Sequence, residues 1–148
     1  MPPHPHRNVF LGTGLSFVAG YVDAGTFIAL GGLFSAHVTG NFVLIGAELM
    51  SHSTGVLAKL LALPVFVRAV AATRLVGLGL ERSGTPPLLS IELTVLLAFA
   101  LAGIALSPVG SPDGGRAVLV SMLAVAAMGI QNGIGRTAIG HTWRRPPS

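Results

Sequence analysis

The chain has 148 residues, of which 51% are hydrophobic and only 9% are charged. Soluble domains carry about 25% charged residues, so this chain has too few polar groups to cover a water-soluble globule. The lack of cysteine and the high apolar content exclude a disulfide-stapled secreted module and a disordered chain. Composition therefore predicts an integral membrane protein, with the lipid bilayer as its first partner.

The net charge of +4 comes from basic residues that are scattered along the chain without an aromatic platform. This distribution argues against a nucleic-acid partner and is typical of membrane topology signals. The basic residues in the predicted loops divide almost evenly between the two sides of the membrane. They therefore do not indicate an orientation.

Five stretches approach the length of about 20 mostly apolar residues that a helix needs to cross about 30 Å of hydrocarbon. Clusters of glycine, serine and proline separate them. The short connections predict antiparallel neighbours in one all-α transmembrane bundle, a single membrane domain over residues 1–148. The second stretch is short and fits a tilted or a re-entrant segment. The predicted spans are residues 9–30, 36–50, 56–80, 88–107 and 117–134.

Asp23 lies inside the first predicted span, where an unpaired carboxylate costs about 3 kcal/mol or more. Thr13, Ser16 and Gly20 precede it at helical spacing, which predicts one polar face that points into the bundle. One interpretation is structural: Asp23 bonds to a neighbouring helix or marks a helix break. The other places Asp23 on an ion, proton or substrate path.

Two further charged residues fall inside predicted spans. Glu92 raises the same two alternatives as Asp23, a structural role or a place on an ion path. It is about 6 Å below the start of the fourth span, where a helix N-terminus favours a carboxylate and headgroup water is in reach, which favours the structural role. Arg68 lies midway along the third span. Either it pairs with Asp23 or Glu92, or Pro64 breaks the helix and brings Arg68 near water. Arg74, six residues on, lies on a different face.

The segment Thr39-Gly40-Asn41 precedes an apolar run, and its side-chain oxygens are suited to capping a helix N-terminus. An alternative interpretation is functional: a broken backbone at membrane depth exposes a helix N-terminus to an anion. His37, two residues earlier, is interpreted as a polar anchor at the membrane interface.

Two amides, Gln131 and Asn132, end the fifth span within a G-x-x-x-G spacing. Amides in lipid seek partners across helices. Residues 129–133 also share a pattern with residues 20–24, namely Gly, then Asp or Asn three positions later, then a small residue. This internal repeat is parallel if the second segment spans the membrane and inverted if that segment is re-entrant.

These motifs, together with residues 34–41, resemble the YoaK family of bacterial multi-pass membrane proteins over about residues 11–136. The resemblance implies a bundle of about six helices in the cell membrane, without an assigned substrate. The sequence departs from the family pattern at Arg68 and Arg74, and it lacks the final helix with a second Thr-Gly element. By the resemblance, the residues that match the family pattern are Asp23, Thr39, Gly40, Asn41, Gln131 and Asn132.

The leading functional hypothesis is a transporter-like or channel-like bundle, in which Asp23 binds or relays a cation or proton. Thr39 to Asn41 then line the path of an unknown small solute or ion. The alternatives are a non-transporting scaffold or partner subunit that forms a homo-oligomer through Gly129 and Gly133, or a truncated inactive family member.

Enzymatic activity is not expected. An aspartyl mechanism needs two facing carboxylates, and the sequence contains neither a G-x-S-x-G nor an H-E-x-x-H motif. No metal site or cofactor is indicated either, because His4 and His6 lie in a proline-rich tail.

Overall fold

The computed structural model describes residues 5–79, 86–107 and 110–143. Within these ranges the chain forms helices and no strand, which confirms the all-α bundle. The first, third, fourth and fifth predicted spans each correspond to one long helix. The second is helical only from Gly40, four residues later than predicted. The helices are α1 (Pro5–Ala29), α2 (Gly40–Ser51), α3 (Val56–Gly79), α4 (Pro86–Ala105) and α5 (Gly115–Trp143).

Among the described residues, three helices are long and apolar enough to cross a membrane: α3 over Val56–Gly77, α4 over Leu88–Ala105 and α5 over Gly115–Gly135. Helix α1 has 25 residues, about 37 Å at 1.5 Å per residue, so its length also suffices. Large apolar side chains cover the outer surface, among them Phe10 and Ile28, each 84% exposed. Such a surface is stable against lipid rather than water.

Helix α5 occupies the centre of the bundle. Of its membrane-length segment, 61% is buried inside the protein, compared with 22% for α3 and 11% for α4. Helices α1, α3 and α4 all pack against α5. Helix α5 is therefore the common element against which the other three long helices are oriented.

Helices α3 and α5 run parallel, and two glycines bring them close together. A Cβ atom added at Gly129 would lie 2.7 Å from Ala69 Cβ, and one added at Gly133 would lie 2.7 Å from Thr73 Cβ. Both contacts advance by four residues along each helix, as parallel helices require. The G-x-x-x-G motif thus forms a helix contact within one chain, where small residues permit close approach.

Helices α1 and α5 run antiparallel. Gly31, just after α1, lies against Pro112, just before α5. At the other end of the contact, Gln131 in α5 donates a hydrogen bond to the Leu15 carbonyl in α1. The two copies of the sequence repeat therefore lie on antiparallel helices, which is the inverted arrangement.

Helix α2 is a re-entrant half-helix. Its 12 residues extend about 18 Å, short of the roughly 30 Å of hydrocarbon. Lys59, in the first turn of α3, binds both the Gly31 carbonyl at 2.9 Å and Glu48 Oε1 at 2.6 Å. The end of α1 and the end of α2 thus meet at one end of the bundle, called the Lys59 end here. Between them the chain returns toward Asp23.

The returning loop, residues 30–39, is also held by apolar packing. Leu33 and Val38 are buried in a core with Ala58 and Ala62 of α3 and Val120 of α5. Because these side chains are removed from water or lipid headgroups, the loop is anchored inside the bundle rather than on its surface.

We expect Gly129→Ala to destabilise the bundle by about 1 to 3 kcal/mol relative to Gly103→Ala, because the new methyl group overlaps Ala69 and Phe66. Gly103 in α4 is a matched control, since a Cβ there has nothing within 4 Å. Thermal unfolding of the purified variants in detergent measures the difference. Equal transition temperatures would contradict the close contact between α3 and α5.

Candidate functional site

Asp23 is the centre of a buried polar cluster and is itself only 5% exposed. Its Oδ1 accepts hydrogen bonds from the Ala36 backbone N–H at 2.7 Å and from the Ser35 hydroxyl at 3.3 Å. Its Oδ2 lies 2.8 Å from His37 Nδ1. All three partners belong to the loop between α1 and α2, so a loop and not a neighbouring helix satisfies this carboxylate.

Two consecutive glycines turn the chain back toward Asp23. Gly31 and Gly32 have φ angles of +69° and +77°, a region that side chains other than glycine rarely adopt. The Gly32 N–H bonds to the Phe27 carbonyl at 2.9 Å and ends α1. The rings of Phe27 and Phe34 then pack with their centroids 4.8 Å apart, which fixes the direction of the returning chain.

The hydroxyls of Thr26 and Ser35 complete the cluster, and both residues are fully buried. Thr26 Oγ1 lies 3.2 Å from Ser35 Oγ and 3.0 Å from the Asp23 carbonyl oxygen. Thr26 thus connects α1 to Ser35 in the loop, and the Ser35 hydroxyl in turn donates to Asp23 Oδ1.

Asn41 locks the loop at its second end. Its amide accepts from the Phe34 N–H at 2.9 Å and donates to the Phe34 carbonyl at 2.8 Å. Gly40 permits this pairing, because a Cβ there would lie 3.1 Å from the Phe34 ring. The expected cap by Thr39 is not formed: Thr39 has a helical backbone, makes no side-chain capping bond and is exposed. Asn41 instead bonds back to the loop.

The prediction that α1 has a polar face pointing into the bundle is wrong, except that Asp23 itself is buried. Thr13, Ser16 and Gly20 are exposed on the outer surface. The physical reason is that the loop supplies the partners of Asp23, so no polar helical stripe is needed. The next buried polar residue along α1 after Asp23 is Thr26, about one helical turn later.

Both expectations for Arg68 are also wrong. Its side chain is exposed on the outside of α3 and forms no ion pair with Asp23 or Glu92, which face the interior. Pro64 lies within α3, which continues through it, so the helix is not broken there. Arg68 thus faces outward from the middle of a membrane-length helix.

Glu92 is 4% exposed and does not reach headgroup water, contrary to the expectation from its place near the start of the helix. Helix α4 packs chiefly against α5, so Glu92 is buried on that side. Among the described residues its Oε2 has no hydrogen-bond partner. Glu92 is therefore a buried intramembrane carboxyl group separate from the Asp23 cluster.

The amides at the end of the sequence repeat lie apart from the Asp23 cluster. Gln131 binds the Leu15 carbonyl, which is eight residues or about 12 Å from Asp23 along α1. Its buried Oε1 has no partner within the described part of the chain. Asn132 is exposed on the outer surface, where it lies beside residues of α3. The six predicted site residues therefore divide between two levels of the bundle.

The polar contacts at the Lys59 end were not predicted from the sequence. Lys59 is fully buried and pairs with Glu48. Asp113 accepts from the N–H groups of Gly55 at 2.8 Å and Leu57 at 3.2 Å, and so caps α3. Lys59 falls four residues into a predicted span and could have been recognised by that position, as Asp23 was. Nothing local in the sequence marks Asp113 as the cap for the N–H of Leu57, 56 residues earlier.

His37 was considered only as an anchor, yet it is the partner of Asp23. Its side chain is 77% exposed, while that of Asp23 is 7% exposed. Counting eight residues from Gly31 to Asp23, the pair lies about 12 Å below the Lys59 end. The site thus joins a buried carboxylate to an accessible imidazole at membrane depth.

Long apolar helices, an apolar outer surface and a re-entrant half-helix define the class of this chain as a multi-pass membrane protein. A family model described as "Protein of unknown function (DUF1275)" matches residues 11–144. The chain belongs to this family, which confirms the resemblance found in the sequence motifs. No curated protein and no solved structure matches the chain.

Replacement of Asn41 by Ala is expected to lower stability by about 2 kcal/mol, because it leaves the Phe34 N–H and carbonyl unpaired. Thr39→Ala is the control and should stay within about 0.5 kcal/mol of the parent chain. Chemical unfolding of both variants in mixed micelles measures the difference. A Thr39 variant as unstable as the Asn41 variant would contradict the assignment of the loop contact to Asn41 alone.

Proposed function

We propose that this protein is a transporter-like bundle of the bacterial cell membrane in which the Asp23–His37 pair holds and passes on a proton or a small cation. One observation carries the proposal: a carboxylate at membrane depth is clamped by non-helical backbone and bonded to an exposed imidazole. Ionisable groups inside membrane spans are rare and commonly lie on ion pathways or proton relays.

The two oxygens of Asp23 have different tasks in this proposal. Oδ1 is fixed by the Ala36 N–H and the Ser35 hydroxyl, so it positions the carboxylate. Oδ2 contacts only the His37 ring among the described residues. A proton on that 2.8 Å hydrogen bond can lie on either group, because a carboxylate oxygen and an imidazole nitrogen both bind protons. Oδ2 and His37 are thus the exchanging partners.

The other predicted path residues have supporting roles. Asn41 and Gly40 hold the loop through Phe34, so they position His37 and Ala36. Thr39 is exposed two residues from His37 and is the member of this segment suited to line a path. A co-transported solute would therefore approach along the exposed side of the loop.

Two buried oxygens support a continuation of the path beyond Asp23. Glu92 Oε2 and Gln131 Oε1 both lack a hydrogen-bond partner within the described ranges. Glu92 is 14 residues from Leu106 and Gln131 is 16 from Gly115, about 21 and 24 Å from the Lys59 end. Both acceptors are thus at a similar level in the opposite half of the bundle, where a proton or cation that leaves Asp23 would next need a ligand.

The test is proton flux into liposomes that contain the purified protein, an internal pH-sensitive dye and a potassium diffusion potential. Asp23→Asn keeps the shape and still accepts from Ala36 and Ser35, but it cannot bind a proton at neutral pH. We expect it to abolish flux. His37→Gln is expected to reduce flux at least about tenfold, since the imidazole that exchanges the proton is lost.

Asp113→Asn is the matched control, a carboxylate-to-amide change at the helix cap outside the path. Asparagine also caps helices well, so flux should persist. Full flux in the Asp23→Asn variant, or parent flux no greater than in protein-free liposomes, would overturn the proposal.

A further inference from the structure

An open groove runs along the outer surface between α3 and α5, with a volume of about 530 Å³. This volume lies within the range of small-molecule binding sites, about 300 to 1,000 Å³. One wall is apolar, and the groove ends at two polar side chains. The lining residues that matter are Phe66, Val67, Val70 and Leu75 on the apolar side, with Arg74 and Asn132 at the polar end.

Arg74 places a positive charge near one membrane surface. It lies 18 residues beyond Val56, about 27 Å from the Lys59 end, where a hydrocarbon layer of about 30 Å comes to its boundary. Its side chain is exposed, and it forms no ion pair or hydrogen bond with the described residues. The guanidinium is thus available to an anion at the level of the lipid headgroups.

The apolar part of the groove points from Arg74 toward the middle of the membrane. Phe66 is eight residues before Arg74, about 12 Å deeper along α3. The groove therefore combines a cation at headgroup level with an apolar channel that runs into the hydrocarbon. This is the layout of a phospholipid, in which the phosphate lies at the surface and the acyl chain extends inward.

We propose that the groove is a binding site for an anionic phospholipid, whose phosphate binds Arg74 while one acyl chain lies against Phe66, Val67 and Val70. Arginine forms paired hydrogen bonds to phosphate, and basic residues near the membrane surface attract anionic lipids. The site lies on the outside of α3, away from Asp23, and does not depend on the proposed transport activity.

A second copy of the chain fits the groove less well. The described carboxylates that could pair with Arg74 from a neighbouring copy are all engaged or buried. Glu48 pairs with Lys59 and Asp113 caps α3, both at the Lys59 end. Asp23 and Glu92 are each at least nine-tenths buried. None of the described carboxylates is therefore placed to pair with Arg74 of a neighbouring copy, which favours an anionic lipid as the occupant.

The experiment measures binding of a fluorescent phosphatidylglycerol to the purified protein in a zwitterionic detergent. Arg74→Gln is expected to weaken binding about tenfold, since it removes the phosphate ligand. Val70→Trp fills the groove and should weaken binding to a similar extent. Arg68→Gln is the matched control: an exposed arginine on the same helix outside the groove, expected to change binding less than about twofold.

Three results would overturn the proposal. Equal loss in the Arg68 and Arg74 variants would indicate general charge attraction without a site. Competition by millimolar inorganic phosphate that removes all binding would indicate a free-anion site. A dimer that dissociates on Val70→Trp, with lipid binding unchanged, would indicate that a second copy occupies the groove.

Discussion

The bond between the Ala36 N–H and the Asp23 carboxylate is the interaction on which the rest of the structure depends. Non-helical backbone leaves polar groups unpaired, and membrane depth offers no water to pair them. Asp23 accepts a hydrogen bond from the Ala36 N–H, and the Asn41 amide pairs with the N–H and carbonyl of Phe34. With these two side chains in place, residues 30–39 can enter the bundle. Without them, an unbroken helix or a surface loop would have lower free energy.

The re-entrant loop determines the order of the helices and the character of the site. Because α2 returns to the Lys59 end, α1 and α5 become antiparallel and the two repeat copies are inverted. The same loop brings His37 beside a carboxylate that would otherwise need a partner on another helix. One structural element therefore explains both the topology and the Asp23–His37 pair on which the proposed transport function depends.

The sequence predicted the features that depend on hydrophobicity and chain length, namely the all-α class and the four long helices. It also selected Asp23, Gln131 and Asn132 as candidate site residues, because polar residues stand out in apolar runs. It did not predict which groups pair. Asp23 was expected to bond to a neighbouring helix, whereas its carboxylate accepts a hydrogen bond from the backbone of the loop. Arg68 was expected to form an ion pair inside the bundle, whereas its side chain faces outward. Such pairings depend on where the chain turns, and the positive φ angles of two glycines determine that turn.

The most direct test of the account is the side of the membrane reached by the turn after α2. The chain has no cysteine, so His4→Cys, ahead of α1, and Ser53→Cys, after α2, each introduce one thiol. Labelling with a membrane-impermeant maleimide in oriented vesicles reports the side of each thiol. A re-entrant α2 predicts opposite sides for positions 4 and 53. Labelling of both from the same side would mean that α2 crosses the membrane, which would contradict the re-entrant loop and the inverted arrangement of the repeat.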